Sequence, residues 1–476
     1  MTATAFSSAR NMPQLHISRF AIPTSFLLLI GAWCYWAGLD MNADLINYHL
    51  YGAYQLLNHR LTLDYFAAGT QGYFNPLAFV PLYLMTKAEW HSAAITAVLA
   101  LFHSLNLWLI WCIGDNVLAR NLQHRRRLLW LGTALAFVAP IFLTTLGNTF
   151  ADPITSVLVL AGLYKLLPSQ NAGKWTALQG GMLLGIAAGL KLTNAFLVVT
   201  ACLTLLVLDF SPLKLRVRRL VLCGTGALVG GLVSHGYWSY VLWREFRNPV
   251  FPLFNHIFQS PDFLTAMNED RGLLNQGIWD IFTLPLRMLE HKPWVYAENT
   301  VPDLRPLMLL VIIVVGMAHF LRTRDHRSLS GTPDSRNYFW LLGFFLVSFV
   351  LWAVLAGIGR YALPLWLLLG PLIIGALQRI SRDTRVTAAF AVLILVAQIT
   401  IQAHSGNPRW NGIAWQATWV DPDVPTELKH RPYLYLSMVP GSYSFIFPWL
   451  HPESRFVHIV GGQYTIPAGQ NMPHKL

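Results

Sequence analysis

The sequence predicts an all-α polytopic membrane protein of about eleven transmembrane helices, with interfacial helices in the first external loop and a small external α/β appendage at the C-terminal end. Three observations lead there. The 476 residues are 54% apolar and only 12% charged, with a mean hydropathy of +0.45. A soluble chain of this length carries about twice that charged fraction. Apolar runs recur near the ~20 residues that cross a hydrocarbon core. Short arginine-rich loops separate alternate runs.

The candidate spans are 20–39, 92–114, 128–147, 150–166, 175–191, 194–209, 220–241, 306–321, 339–357, 361–377 and 386–403. The first is long enough to span and has no A-x-A pattern at its end, so no cleavable signal peptide is expected. The pair 175–191 and 194–209 is separated only by Leu192-Thr193 and reads as a tight re-turn. The glycines of GGMLLGIAAGLKLTN (180–194) permit close helix contact there. Cys34, Cys112, Cys202 and Cys223 all lie in apolar runs and form neither a disulfide framework nor a metal set.

Lysine and arginine set the orientation. The clusters RNLQHRRR (120–127), KLRVRR (214–219), RTRDHR (322–327) and RISRDTR (379–385) all fall on one side. The positive-inside rule makes that side cytoplasmic, with the N-terminus inside and the C-terminus outside. The net charge of +12 is therefore a matter of topology, and no nucleic-acid partner is expected. The chain divides into a membrane domain, 1–403, and an external tail, 404–476. The outer face receives the loop 40–91, the turn GNTFADP (147–153), the turn at Lys191, the loop 242–305, the turn GIGRY (357–361) and the tail. In the tail, PYLYLSMV (432–439) and RFVHIVGG (455–462) read as short strands around SYSFIFPWL (442–450). A unit this small is expected to need support from the membrane domain. No solenoid repeat or phosphate-binding glycine loop is present.

The stretch from Asp40 to Pro76 gathers Asp40, Asp44, Asp64, His49, His59, Arg60 and five tyrosines in a chain otherwise poor in charge. Its tyrosines and leucines fall at helical spacing, which predicts a short helix lying in the interface with the carboxylates beside it. Asp44, with Asn47, Tyr48 and His49, suits a general base that deprotonates an acceptor hydroxyl at the membrane surface. The competing reading is a plain helix N-cap. Asp40 is the second choice, and Asp64 reads as a cap. Asp152 in GNTFADP suits a second carboxylate at the mouth of a wet cavity, although Asp-Pro is also an ordinary helix start. Lys191 is either near that cavity or a snorkelling lysine. Arg360 in GIGRYALPL, followed by Tyr361, suits a bidentate clamp on phosphate or serves as an interfacial anchor. His235 and Tyr237 read as packed polar residues. No metal-site spacing occurs, so a divalent cation such as Mg or Mn is permitted and not indicated.

No ATP motif is present, so energy must come from the substrate or from a gradient. An enzyme acting on an activated lipid phosphate fits, with Arg360 and Lys191 holding the leaving phosphate and Asp44 taking the acceptor proton. A transporter or flippase for a lipid-linked saccharide is the alternative. It fits less well, because transporters place ionisable groups near the midplane of matching halves.

The layout resembles the GT-C superfamily of integral membrane glycosyltransferases, bacterial polyprenyl-phosphate-sugar-dependent type. The resemblance rests on DLINYH (44–49) with GYFNPL (72–77), GNTFADP (147–153), GLKLTN (189–194), NPVFPLFN (248–255) and GRYALPL (359–365). It implies that Asp44 is the catalytic base, that Asp152 is a second acidic residue or metal contact, and that Arg360 contacts the lipid phosphate. The first loop departs from many members in lacking an adjacent acidic pair, which leaves Asp40 and Asp44 both open as the base. The substrate-binding set then comprises His49, Asn47, Tyr48 and Asn75 of the first loop. Asp152, Lys191, Arg360 and Tyr361 complete it, with no metal ligand assigned. The implied protein sits in a bacterial inner membrane and moves sugar from a polyprenyl-phosphate donor to a lipid or glycan acceptor at the periplasmic face.

Overall fold

A helix lies over each of the eleven apolar segments, but their lengths differ widely. The computed structural model describes residues 20–120, 124–168, 175–263, 265, 277–323, 332–381, 383–405, 409–439 and 441–458. Residues 1–19, parts of the clusters 120–127, 322–327 and 379–385, and the end of RFVHIVGG lie outside the described residues. The helices ahead of the tail are α1 (Ala21–Ala37), α2 (Leu50–Leu57), α3 (Val80–Lys87), α4 (Ser92–Val117), α5 (Arg125–Phe137) and α6 (Pro140–Thr145). They continue with α7 (Asp152–Leu166), α8 (Thr176–Leu190), α9 (Ala195–Val207), α10 (Leu213–Phe246), α11 (Asn255–Phe258) and α12 (Ile278–Arg287). The last are α13 (Arg305–Thr323), α14 (Pro333–Leu355), α15 (Leu363–Ile380) and α16 (Thr384–Ala403).

Six of the described helices, α4, α10, α13, α14, α15 and α16, are long and apolar enough to cross a membrane. Of the others over candidate spans, α6 has 6 residues, and α1, α5, α7, α8 and α9 have 13 to 17. At about 1.5 Å per residue these five rise ~20–26 Å, less than the ~30 Å hydrocarbon core. The expected span 128–147 is broken for a visible reason. Its helix ends at Phe137, and Pro140, which has no N–H to donate, opens the separate helix α6.

Helices α8 and α10 meet backbone to backbone. A Cβ at Gly181 or Gly185 of α8 would collide with the carbonyls of Cys223 and Ala227, and one at Gly226 or Gly230 of α10 with those of Leu178 and Met182. Small residues four apart on both helices produce this contact. Gly185→Leu is expected to cost about 1–3 kcal/mol through overpacking. An unchanged thermal midpoint in detergent would disprove the contact.

The described residues of the basic clusters and the acidic turns sit at opposite ends of the helices. At one end Arg125 pairs with Asp115, Arg219 with Asp209, and Arg379 stacks on Tyr338 3.6 Å from its ring centre. Asn337 donates to Asn116 O at 2.8 Å and ties α14 to the end of α4 there. At the other end lie the first loop, the start of α7, the end of α8 and the start of α15, joined by the contacts described below.

The first loop and the tail are interwoven at that second end. Strand β1 (Leu39–Asp40) pairs antiparallel with β2 (Gly412–Ile413) of the tail. After helix α17 (Thr426–His430), strands β3 (Leu434–Ser437) and β4 (Arg455–His458) pair in parallel, Leu434 opposite Arg455. Tyr65 of the first loop bridges to Val457 on β4. Helix α2 is not laid open on an interface as its spacing predicts. Leu50 through Gln55 are all buried, because Phe447 packs edge-on against Tyr51 at 5.7 Å and stacks on Phe456 at 3.8 Å. Asp64, read from sequence as a cap, is a fastener instead. It accepts from Arg60 Nε at 2.6 Å, Tyr51 Oη at 2.7 Å and Phe456 N at 3.0 Å, while Arg60 donates to Pro452 O at 2.7 Å.

Candidate functional site

Where α1 ends, Gly38 takes a positive φ of 79° and sends the chain into β1. Asn42 then caps the next helical stretch, its Oδ1 accepting from Leu45 N at 2.9 Å. That releases Asp44 from the capping role its position suggests, and its side chain makes no cap hydrogen bond. A π-helical turn over Leu45–His49 follows and runs into α2.

The partner of Asp44 comes from the start of α15. Gly359 and Arg360 lie in a 3₁₀ turn before that helix. The Gly359 N–H donates to Tyr296 O at 2.5 Å, and a Cβ at Gly359 would meet that oxygen at 2.8 Å. Glycine is needed for this approach, which brings Glu298, two residues beyond Tyr296, beside the guanidinium. Arg360 Nη1 donates to Asp44 Oδ2 at 2.5 Å, while Nη2 and Nε reach Glu298 Oε1 at 3.1 and 3.3 Å. The guanidinium lies 4.6 Å from the ring centre of Phe150 and 5.9 Å from that of Trp410, a tail residue.

A second ion pair adjoins the first. Lys191 follows α8 and places Nζ 2.7 Å from both oxygens of Asp152, the first residue of α7. Its Nζ lies 4.6 Å from the ring centre of Tyr361, and Arg360 lies 5.4 Å from the same centre. Two cations thus flank one aromatic ring, set against the three carboxylates Asp44, Asp152 and Glu298. Low polarity around such groups strengthens every charge interaction among them.

The remaining candidates take different places. Tyr48 Oη donates to Asp44 Oδ2 at 3.2 Å. His49 Nδ1 shares a 2.8 Å hydrogen bond with Thr149 Oγ1, which also accepts from Asn42, and its ring stacks on Phe79 at 4.0 Å. Asp40 is turned to the tail. It accepts from Asn411 N at 3.0 Å and Asn148 Nδ2 at 3.3 Å. Asn47 Oδ1 accepts from Ser442 N at 2.9 Å and holds the tail down. Asn75 Nδ2 donates to Gly189 O at 2.7 Å and Ser234 O at 2.8 Å, tying the first loop to α8 and α10. His235 is half-buried and neither ring nitrogen has a hydrogen-bond partner among the described residues, while Tyr237 is exposed.

Burial pushes the Asp44 carboxyl up, but the neighbouring basic groups, Arg360 first among them and Lys191 with it, together hold the group below its ordinary value. Asp40, held mainly by burial, moves the other way. Burial lowers His49 from 6.5 to about 3, so the ring is neutral at pH 7. Between those values the unfolded chain binds the proton and the folded one does not. Stability is therefore expected to fall as pH drops from 6.5 toward 3 through this group. His49→Phe is expected to flatten the thermal-unfolding profile over that window, and a profile of unchanged slope would contradict it.

Sequence reasoning missed Glu298, Phe150 and Trp410. The loop 242–305 holds several other carboxylates, including Asp280, Glu290 and Asp303, so spacing alone does not single out Glu298. Among the described residues no three His, Cys, Asp or Glu side chains converge as a metal group. Neither a protein-family model nor a curated protein matches this chain.

Proposed function

We propose that this is a membrane glycosyltransferase that moves a sugar from a polyprenyl-phosphate-linked donor to a hydroxyl of a lipid or glycan acceptor. The observation that carries the reading is Arg360 held between Asp44 and Glu298 beside the Lys191–Asp152 pair. A guanidinium and an ammonium flanking one ring suit a phosphate monoester leaving group. When phosphate oxygens take Arg360, Asp44 loses its nearest counter-charge in a buried setting, and its proton affinity rises. The base is then readied by the substrate it serves. The acceptor O–H gives its proton to Asp44, the acceptor oxygen bonds to the anomeric carbon, and the bond from that carbon to the phosphate oxygen breaks. Its electron pair leaves on the polyprenyl phosphate, where Arg360 and Lys191 meet the charge.

In this reading the eleven helical segments form a GT-C-like domain in a bacterial inner membrane, the basic ends cytoplasmic and the site periplasmic. The tail closes the site from outside through Trp410. The test is transfer of labelled sugar from a polyprenyl-phosphate donor by purified protein in liposomes. Uptake of a lipid-linked saccharide with no covalent product would replace this reading with a transporter.

A further inference from the structure

Helix α12 (Ile278–Arg287) leaves a large apolar surface open at the end of the molecule that carries the ion pairs. At about 100° per residue its side chains divide into three sectors. Leu284 and Met288, with Ile281 beside them, face the protein and join its buried core. Ile278, Trp279, Phe282 and Leu286 form the second sector, and all four are exposed, Trp279 to 77% and Phe282 to 66%. Asp280, Thr283 and Arg287 form the third, with Arg287 Nη1 4.0 Å from Asp280 Oδ1. One side for protein, one for hydrocarbon and one for water is the pattern of a helix lying in a membrane interface.

The helix is fixed at the level where a span begins. Met288 O accepts from Asp303 N at 2.8 Å, just ahead of α13, and α12 packs against α13 and α14. Both of those helices are long and apolar enough to cross a membrane. Both also leave valines exposed, Val311, Val314 and Val315 on α13 and Val350 and Val354 on α14. Such surface on a spanning helix is covered by lipid chains, and α12 stands at its rim. Asp280, Arg287, Glu290 and Lys292 cancel in charge along this stretch. Apolar area, and not attraction to anionic lipid, then sets the strength of binding.

We infer that α12 docks on the bilayer, its apolar sector entering the boundary between headgroups and acyl chains, and so fastens the loop that carries Glu298 to the membrane. The occupant of the open sector is the lipid surface, continuous with the lipid around α13 and α14, and not a second copy of the chain. From α12 the chain runs to Tyr296, whose carbonyl accepts from Gly359 N, and on to Glu298 beside Arg360. The hold on lipid thus reaches the ion pairs through one short loop. The inference does not depend on sugar transfer.

The experiment replaces Trp279, Phe282 or Thr283 by photoreactive benzoylphenylalanine in the full-length protein. Each variant is irradiated in vesicles of phosphatidylethanolamine and phosphatidylglycerol, and the products are read by mass spectrometry. Acyl-chain adducts are expected at Trp279 and Phe282 at a yield several-fold above that at Thr283, and unchanged when the share of phosphatidylglycerol is raised. A yield at Phe282 no higher than at Thr283, a covalent dimer in place of the lipid adduct, or adducts formed only at high phosphatidylglycerol would overturn the inference. Hydrogen exchange in the same vesicles tests the fastening. The double variant Trp279→Ser/Phe282→Ser should exchange its amides faster over 294–301 and at the wild-type rate in α4 and α15, which separates release of the loop from unfolding. Wild-type exchange over 294–301 would remove the link to Glu298.

Discussion

Asp44→Asn protein is expected to fold and to lose sugar transfer by about 10²–10⁴-fold, the usual worth of a positioned general base. The amide cannot take the acceptor proton, whatever its placement. The fold should survive because Arg360 keeps Glu298 as a counter-charge at 3.1 Å. The loss of stability should therefore stay below the ~3–5 kcal/mol typical of a buried charge left alone. Asp40→Asn makes the contrast. Asp40 accepts hydrogen bonds from Asn148 and from the backbone at Trp410 and Asn411, so its replacement should lower the thermal midpoint through the tail. Transfer by folded Asp44→Asn protein at the wild-type rate would remove Asp44 from the chemistry. The measurement pairs initial rates with thermal unfolding of the same preparation.

The second large effect falls on Arg360. Arg360→Ala leaves Asp44 and Glu298 facing each other without their shared cation, both largely buried. A loss of about 3–5 kcal/mol in stability is expected, together with loss of transfer. Arg360→Lys separates charge from shape. One ammonium keeps the charge but cannot reproduce a fork whose Nη1 meets Asp44 while Nη2 and Nε meet Glu298. It is expected to melt near the wild type and to show a raised KM for the phosphate-linked donor. If its KM matches the wild type, the fork is not what holds the phosphate.

The acidic first loop, the turn at Asp152, Lys191 and Arg360 were all legible as one face, and the described structure brings them to one end of the helices. Their roles within that face were less legible. The sequence ranks Asp44 ahead of Asp40 and leaves both open as the base. Asn42 settles the cap, and β1–β2 pairing turns Asp40 toward the tail. Asn47 and Asn75 lie in motifs that carry the resemblance, yet their described hydrogen bonds hold the tail and the α8–α10 pair. The 128–147 run reads as one span by hydropathy, which does not register the break at Pro140.

What the amino-acid order determined alone is where helices form and at which end the ionisable groups gather. Hydropathy is a local property, and the cost of charge in hydrocarbon drives such groups to helix ends whatever the fold. Only the tertiary structure decided who meets whom. Arg360 reaches Asp44 across 316 residues, and Glu298 joins them because Gly359 lets Tyr296 come close. Those partnerships depend on how the starts of α7 and α15, the end of α8 and the tail pack around one ring, Tyr361. Packing of that kind is set by distances between segments far apart in the chain, which no stretch of sequence carries by itself.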